Sequence, residues 1–211
     1  MAAGLTAVVD YGLCNVDSMT RALEECGARD VQPTRDPRLV AKADRIVLPG
    51  VGSFAVAMRN LEAWQLVEPI RAAAEGRRVP FLGACLGMQL MAAAGSEGAR
   101  DCAGLGLVAG EVVRLESRDA NEHVPHIGWN EVVPRAGAAL FAGIAQDADF
   151  YFVHSYHLRL ADGANEAGRT SYCGGFTAAI ELPDRAIFGT QFHPEKSQRS
   201  GFRLLRNFLA A

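Results

Sequence analysis

The sequence predicts an α/β fold: a mixed, mostly parallel central sheet flanked by helices, with an antiparallel annex. Three observations lead there. Short apolar runs alternate with helically spaced segments through the first half of the chain. Strand-like runs crowd the second half, with few helical windows between them. No linker, repeat or low-complexity tract interrupts the 211 residues, so one domain over 1–211 is expected. Short strands alternating with helices imply right-handed crossovers and a parallel sheet.

The elements follow in order. Leu5 to Asp10 reads as a short apolar strand. Val16 to Cys26 carries Val16, Met19, Leu23 and Cys26 on one helical face, with Gly27 as a stop. Arg45 to Leu48 is a second buried strand, ended by Pro49-Gly50. Ser53 is placed to cap a helix bearing Val56, Met58 and Leu61, and Val67 to Glu75 keeps helical spacing up to Gly76. Val79 to Ala84 is a strand and Leu86 to Ala94 a helix. Then come strand-like runs at Leu107–Leu115, Trp129–Val133, Phe150–His154, Arg169–Cys173, Thr177–Leu182 and Ala186–Phe192, with Gly174-Gly175 as a hairpin turn. Ser200 to Leu209 closes as a helix with Phe202, Leu205, Phe208 and Leu209 inward.

Composition removes several function classes. Hydrophobic residues make up 49% and charged residues 21%, an ordinary globular balance. The net charge of -3, with no basic run, argues against nucleic acid as a partner. The most apolar stretch, Phe81 to Gly95, is too short to span a membrane and holds Gln89. Met1-Ala2-Ala3-Gly4 lacks the basic region of a signal peptide. The five cysteines, Cys14, Cys26, Cys85, Cys102 and Cys173, are odd in number and form no C-x-x-C pair. A reducing cytoplasm is therefore expected, with no disulfide framework, no metal site and no cofactor.

One cysteine has a special setting. Gly83-Ala84-Cys85-Leu86-Gly87 has the form G-x-C-x-G between a strand and a helix, the context of a nucleophile elbow. Glycines flank it because side chains there would clash in so tight a turn. The helix starting at Leu86 points its positive end at the sulfur, which favours thiolate, and the Leu86 N–H is free to donate to an oxyanion. The plainer reading is a core cysteine in a glycine-rich turn. A nucleophile needs a base and a group to orient it. His193 precedes Pro194, which favours extended geometry, and Glu195 two residues on shares its face. Such a carboxylate accepts from one ring nitrogen while the other faces the sulfur. Pro49-Gly50-Val51-Gly52 after a strand presents N–H groups to an anion, or is an ordinary strand-to-helix loop.

Together these elements resemble the triad (class I) glutamine amidotransferases. DYGLCNVDS, LPGVGSF, GACLGMQLM, HIGWNEV, YFVHSYH and TQFHPEKSQRSG occur in order along nearly the whole chain. That set is similar to the branch of the family that supplies ammonia to imidazole glycerol phosphate synthase in histidine biosynthesis. The resemblance implies a flavodoxin-like amidotransferase fold. It implies a triad of Cys85, His193 and Glu195, and an oxyanion hole from Gly50, Val51 and Leu86. The Gly50-Val51 peptide is expected to turn before that hole is complete. Glutamine contacts fall on Gly52, Gln89, Glu97, Ser155 and Tyr156. The implied partner in a heterodimer is a cyclase with a (β/α)8 barrel, with Asn15, Trp129 and Lys196 near the interface. Trp129 at a strand head equally suits a core, and Lys196 a solvated charge.

Cys14 departs from the family, which usually has glycine there; if that glycine uses positive φ, the backbone at Cys14 must differ. Ala84 and Ile127 replace other apolar residues. Three rivals remain: an amidotransferase serving another acceptor such as a nucleotide or chorismate, a partner-independent cysteine hydrolase, and a non-catalytic subunit. Intact Cys85, His193 and Glu195 argue against the last.

Overall fold

The computed structural model describes residues 4–98 and 102–211; Met1, Ala2 and Ala3 of the N-terminal stretch lie outside them. The chain runs β1 (Leu5–Val9), α1 (Val16–Glu25), β2 (Asp30–Thr34), α2 (Pro37–Lys42), β3 (Arg45–Gly50), α3 (Phe54–Ala63) and α4 (Val67–Arg71). A π-helical turn at Ala72–Gly76 leads to β4 (Phe81–Cys85), α5 (Leu86–Leu90), β5 (Ala92–Gly95) and β6 (Cys102–Ala103). Then follow β7 (Val108–Arg114), β8 (His126–Glu131), β9 (Val133–Pro134), β10 (Asp149–His154), β11 (Tyr156–Leu160), β12 (Glu166–Thr170), β13 (Phe176–Leu182), β14 (Ile187–Thr190) and α6 (Gln198–Leu209).

An eight-stranded sheet has the order β2-β1-β3-β4-β14-β13-β12-β9. It is parallel from β2 to β14 and antiparallel beyond. The annex is a four-stranded sheet, β11-β7-β5-β6, and a two-stranded one, β10-β8. A parallel sheet is covered on both faces, so its strands are apolar throughout. Here Ala7, Val9, Ile46, Leu48 and Phe81 join the core under α2, α3, α4 and α5. The alternate residues Val8, Val47, Leu82 and Ala84 join a second core under α1 and α6. Each fully buried Leu, Ile, Phe or Val contributes about 1.5–3 kcal/mol of transfer free energy. α1 presents Met19, Ala22 and Leu23 to that second core, and α6 presents Leu204, Leu205, Phe208 and Leu209.

This topology sets up one functional rim. β3, β4 and β14 are adjacent and parallel, so their carboxyl ends finish together. Gly50 stands opposite Cys85, and Thr190 opposite Ala84. Three loops that are far apart in sequence therefore meet at one sheet edge, as open parallel sheets require.

Several boundaries differ from the sequence reading. β2 and α2 carry no clear apolar pattern; β2 is an edge strand, mostly exposed, and tolerates Pro33 for that reason. The expected helix Leu86–Ala94 ends at Leu90, because Ala92–Gly95 pairs with β7 and β6 instead. The strand expected at Trp129–Val133 begins at His126, and the one expected at Arg169–Cys173 begins at Glu166 and stops at Thr170. Ser53 occupies the N-cap of α3 but makes no side-chain cap bond. The Glu97 carboxylate accepts from Phe54 N–H at 3.0 Å in its place.

The elbow's glycines are demanded by backbone, not by side chains. A Cβ on Gly87 would lie 1.7 Å from the Leu48 carbonyl oxygen. One on Gly83 would lie 2.7 Å from the backbone of Gly87 and Met88. Gly87→Ala is expected to cost at least ~2 kcal/mol, lowering Tm by roughly 4–8 °C. Gly76→Ala, with nothing within 4 Å of the new methyl, serves as the control and should leave Tm nearly unchanged. Equal melting temperatures for the two variants would contradict this account of the turn.

Candidate active site

Cys85 closes β4 with φ 53° and ψ −110°, a backbone conformation that L residues rarely adopt. Strain of this kind persists only where the surroundings enforce it. Here the enforcing contacts are the close approaches of Gly83 and Gly87, and the result is a sulfur lifted off the strand axis at the start of α5. The residue is 4% exposed. Its Sγ donates toward the Val153 carbonyl at 3.8 Å and receives the Gln191 side-chain amide at 3.7 Å.

His193 arrives from β14. Its N–H donates to the Tyr151 carbonyl at 2.9 Å, and its own carbonyl accepts from Ser197 Oγ at 2.6 Å. The backbone at His193 is extended, as the following proline requires. Residues Pro194–Lys196, however, form a 3-10 turn, so Glu195 reaches the imidazole from a turn rather than along an extended strand. Nδ1 and Glu195 Oε1 are 2.8 Å apart and both side chains are nearly buried. Nε2 is buried with no hydrogen-bond partner. Burial disfavours the imidazolium, yet the Cys85 sulfur, foremost among the opposing influences, and then Glu195 raise the His193 pKa to about 10. The pair is thus arranged to hold a proton at the ring, with one face tied and the other open to the sulfur.

Of the predicted oxyanion donors, Leu86 opens α5, where a first-turn N–H has no intrahelical partner. The Val51 N–H is engaged elsewhere: it donates to the Leu13 carbonyl at 2.7 Å. Gly50 ends β3 beside Cys85. The structure therefore brings Gly50, Val51 and Leu86 to the sulfur's rim with one of the N–H groups turned away.

A cavity of about 320 Å³ opens onto Cys85. Its walls include Gly52, Gln89, Glu97, Ser155 and Tyr156, together with Leu86. Gln89, 3% exposed, donates through Nε2 to the Tyr156 carbonyl at 2.7 Å and to Gln191 Oε1 at 3.1 Å. Glu97 spends Oε2 on the α3 cap, leaving Oε1 for a cation, and burial raises its pKa. The sequence reading passed over Ser53, Pro125, Val153 and His154 in these walls, and over Gln191 behind the sulfur. No local sequence signal marks Gln191; its full burial two residues before His193 emerges only in the fold. Clefts of about 560 and 870 Å³ elsewhere contain none of Cys85, His193 and Glu195.

The family model described as glutamine amidotransferase class-I matches residues 7–211. The chain belongs to the class-I glutamine amidotransferases. It is 47% identical over 203 residues to the imidazole glycerol phosphate synthase subunit HisH of Moorella thermoacetica, covering 96% of this chain and 92% of that one. It is 43% identical to the protein of the same name from Ruegeria pomeroyi, covering 97% and 98%. Two solved structures share the amidotransferase fold. A putative GMP synthase protein from Thermoplasma acidophilum has a TM-score of 0.72 at 20% identity, covering 100% of this chain and 94% of that one. A protein described as glutamine amidotransferase has a TM-score of 0.75 at 17% identity, covering 98% of each.

The remaining predicted residues of this amidotransferase lie on the surface. Asn15 is exposed, and its Oδ1 caps α1 by accepting from Ser18 N–H at 3.2 Å. Trp129 stands mid-strand on β8 and is 45% exposed, so it is not a core residue. Its ring meets Tyr151 edge-on at 5.8 Å, and Lys196 Nζ lies 5.9 Å from the same tyrosine ring. Cys14 has no positive φ, so its backbone is unstrained, and Gly12 takes the left-handed turn (φ 81°). Burial pushes the Cys14 thiol up to about 11, which keeps it protonated. Among the described residues no group of His, Cys, Asp and Glu is arranged to hold a metal, and no helix is long and apolar enough to cross a membrane.

Beside the site lies a buried imidazole pair. His126 Nδ1 and His154 Nε2 are 3.1 Å apart, His154 Nδ1 meets the Tyr156 carbonyl at 2.9 Å, and His126 Nε2 meets Asn130 Nδ2 at 2.6 Å. Burial lowers His126 to about 4 and, aided by neighbouring histidines, His154 to about 3. The unfolded chain binds protons at these residues from about pH 6.5 downward while the folded chain refuses them, so stability falls with pH in that window. His193 has the opposite sign: its contribution is complete below about pH 6.5 and is lost as pH rises toward 10. The expected outcome is a Tm lower by roughly 5 °C or more at pH 5 than at pH 7.5. A Tm that holds or rises on acidification would refute the neutral pair.

Proposed function

We propose that residues 1–211 form one glutaminase domain that hydrolyses glutamine at Cys85 and passes ammonia to a cyclase subunit. The pair then makes imidazole glycerol phosphate and an aminoimidazole carboxamide ribonucleotide in histidine biosynthesis. The observation that carries the chemistry is Cys85 held in a strained elbow beside a buried His193–Glu195 pair whose second ring nitrogen is unpartnered. The relatives named above, alike over nearly the full length, support the choice of acceptor.

The mechanism follows from these groups. His193 takes the thiol proton, and the thiolate attacks the side-chain amide carbon of glutamine. The C=O electron pair moves onto oxygen, where Leu86 N–H and a turned Val51 N–H hold it. His193 returns the proton to nitrogen, the C–N bond breaks, and ammonia leaves a thioester. Water, deprotonated by His193, attacks the thioester; the C–S bond breaks and glutamate departs. Glu195 keeps the imidazole oriented throughout. Gly52, Gln89, Ser155 and Tyr156 position the substrate, and the free oxygen of Glu97 receives its ammonium. In water near neutral pH ammonia becomes ammonium, which is no nucleophile, so a shielded route to the acceptor is needed.

The partner is a (β/α)8 barrel that docks over Asn15, Trp129 and Lys196 in a heterodimer. Exposed Ile127 and Trp129 on β8, with Tyr151 alongside, supply the apolar and aromatic anchors such interfaces favour, and Lys196 beside them suits the polar rim. Place of action is the cytoplasm, in keeping with five free cysteines.

Cys85→Ser is expected to bind the cyclase subunit like wild type, to lose glutamine-dependent synthesis, and to retain synthesis from added ammonia. Substantial glutamine use by that variant would remove Cys85 from its role. Full glutamine turnover without any partner would favour a free-standing cysteine hydrolase.

A further inference from the structure

Tyr11 is wholly buried, and its hydroxyl has no hydrogen-bond partner. A buried phenol normally finds one, because a desolvated donor left unpaired carries a cost. The position of this hydroxyl is specific. A Cβ built on Gly50 would lie 1.7 Å from Tyr11 Oη, so the phenol occupies the volume where a side chain would stand. Glycine at 50 is thus required by Tyr11, and the hydroxyl rests against the residue whose carbonyl belongs to the turning peptide.

The segment that carries Tyr11 also holds that peptide in its resting orientation. The Leu13 carbonyl accepts the Val51 N–H at 2.7 Å. The segment is itself fixed, since Asn60 Nδ2 donates to the Tyr11 carbonyl at 2.8 Å. Rotating a peptide plane exchanges the directions of its N–H and C=O. Turning Gly50-Val51 releases the N–H toward the sulfur and carries the Gly50 oxygen to the side of the Leu13 oxygen. Two carbonyls facing one another repel, and a buried carbonyl needs a donor. Burial, with the Cys14 and Cys85 sulfurs, holds the Tyr11 hydroxyl well above its ordinary pKa, so it remains a donor.

We infer that Tyr11 is a positioning residue for the oxyanion hole: its hydroxyl, without an acceptor at rest, donates to the Gly50 carbonyl once the Gly50-Val51 peptide turns, and so favours the competent conformer. The hydroxyl touches no substrate. It acts through the backbone that does, and the inference rests on the glutaminase function proposed above.

The test is Tyr11→Phe, assayed as the full chain in complex with the cyclase subunit. Expected are a kcat for glutamine hydrolysis lower by about tenfold, the size of one net hydrogen bond, and a KM within about twofold of wild type. The Tm of the variant should equal or exceed that of wild type, since an unpaired polar group has been deleted. A purely structural tyrosine would give the reverse, a lower Tm with kcat intact, and that result would overturn the inference. An active wild type with an equally active Tyr11→Phe sinks the inference alone, whereas a wild type inert toward glutamine with its partner sinks the function as well. A second measurement needs no variant. In wild type labelled at tyrosine Cζ, the Tyr11 resonance should shift when the complex is saturated with an unreactive glutamine analogue; an unmoved signal counts against the bond.

Discussion

The site depends on a single close approach, that of α5 to the end of β3. Gly87 sits so near the Leu48 carbonyl that no side chain fits between them. This contact lets the helix start immediately after Cys85 and forces the cysteine into a left-handed backbone. A looser turn would let Cys85 relax into the sheet, where it would be one more small apolar residue. The strain is borne by the cores on either face, which lock β3 and β4 in register. Packing energy spread over many buried aliphatic residues thus supports one costly dihedral at the rim.

Around that sulfur, buried polar groups are held in a chain. Gln191 donates to it, Gln89 donates to Gln191, and Gln89 also holds the Tyr156 carbonyl that His154 meets from the other side. Such networks are favourable only where nearly every member is satisfied. His193 Nε2, Glu195 Oε2 and Tyr11 Oη are buried without partners around Cys85, while Thr6 Oγ1 and Thr20 Oγ1 are so elsewhere in the fold. The ring nitrogen is complete only when a proton is transferred, and the phenol only when the peptide turns.

Much of this was legible in the residues. Val8-Val9, Ile46-Val47-Leu48 and Phe81-Leu82 are continuous apolar runs, and their burial on both faces made the parallel sheet readable. The elbow was readable because two glycines bracket a cysteine at a strand-to-helix junction. What escaped lacked a local signal. β2 is an exposed edge containing proline, stabilised by pairing with β1 rather than by its own pattern. The alanines after Leu90 favour helix by propensity, and pairing with β7 overrides that preference. The proximity of Glu195 to His193 was anticipated for the wrong backbone reason, since a 3-10 turn and an extended segment can both bring neighbours together. The engagement of Val51 with Leu13 was beyond reach, being a contact between loops fixed only by the assembled sheet.

The same assembly joins the exposed strand β8 to the sulfur through one intervening strand. Ile127 and Trp129 face outward on β8, and their cross-strand partners on β10 are Val153 and Tyr151. Val153 offers its carbonyl to Cys85 Sγ, and Tyr151 offers its carbonyl to the His193 N–H. β10 therefore touches both Cys85 and His193 by main-chain bonds while carrying β8 on its other edge. Val51, 42% exposed, brings the Gly50-Val51 turn to the surface as well. On the proposed function, a rigid partner seated on β8 would act on the site through backbone alone, with no side chain of its own required near glutamine. On that proposal, a hole unfinished at rest, with a framework reached from outside by one strand, would be completed by contact.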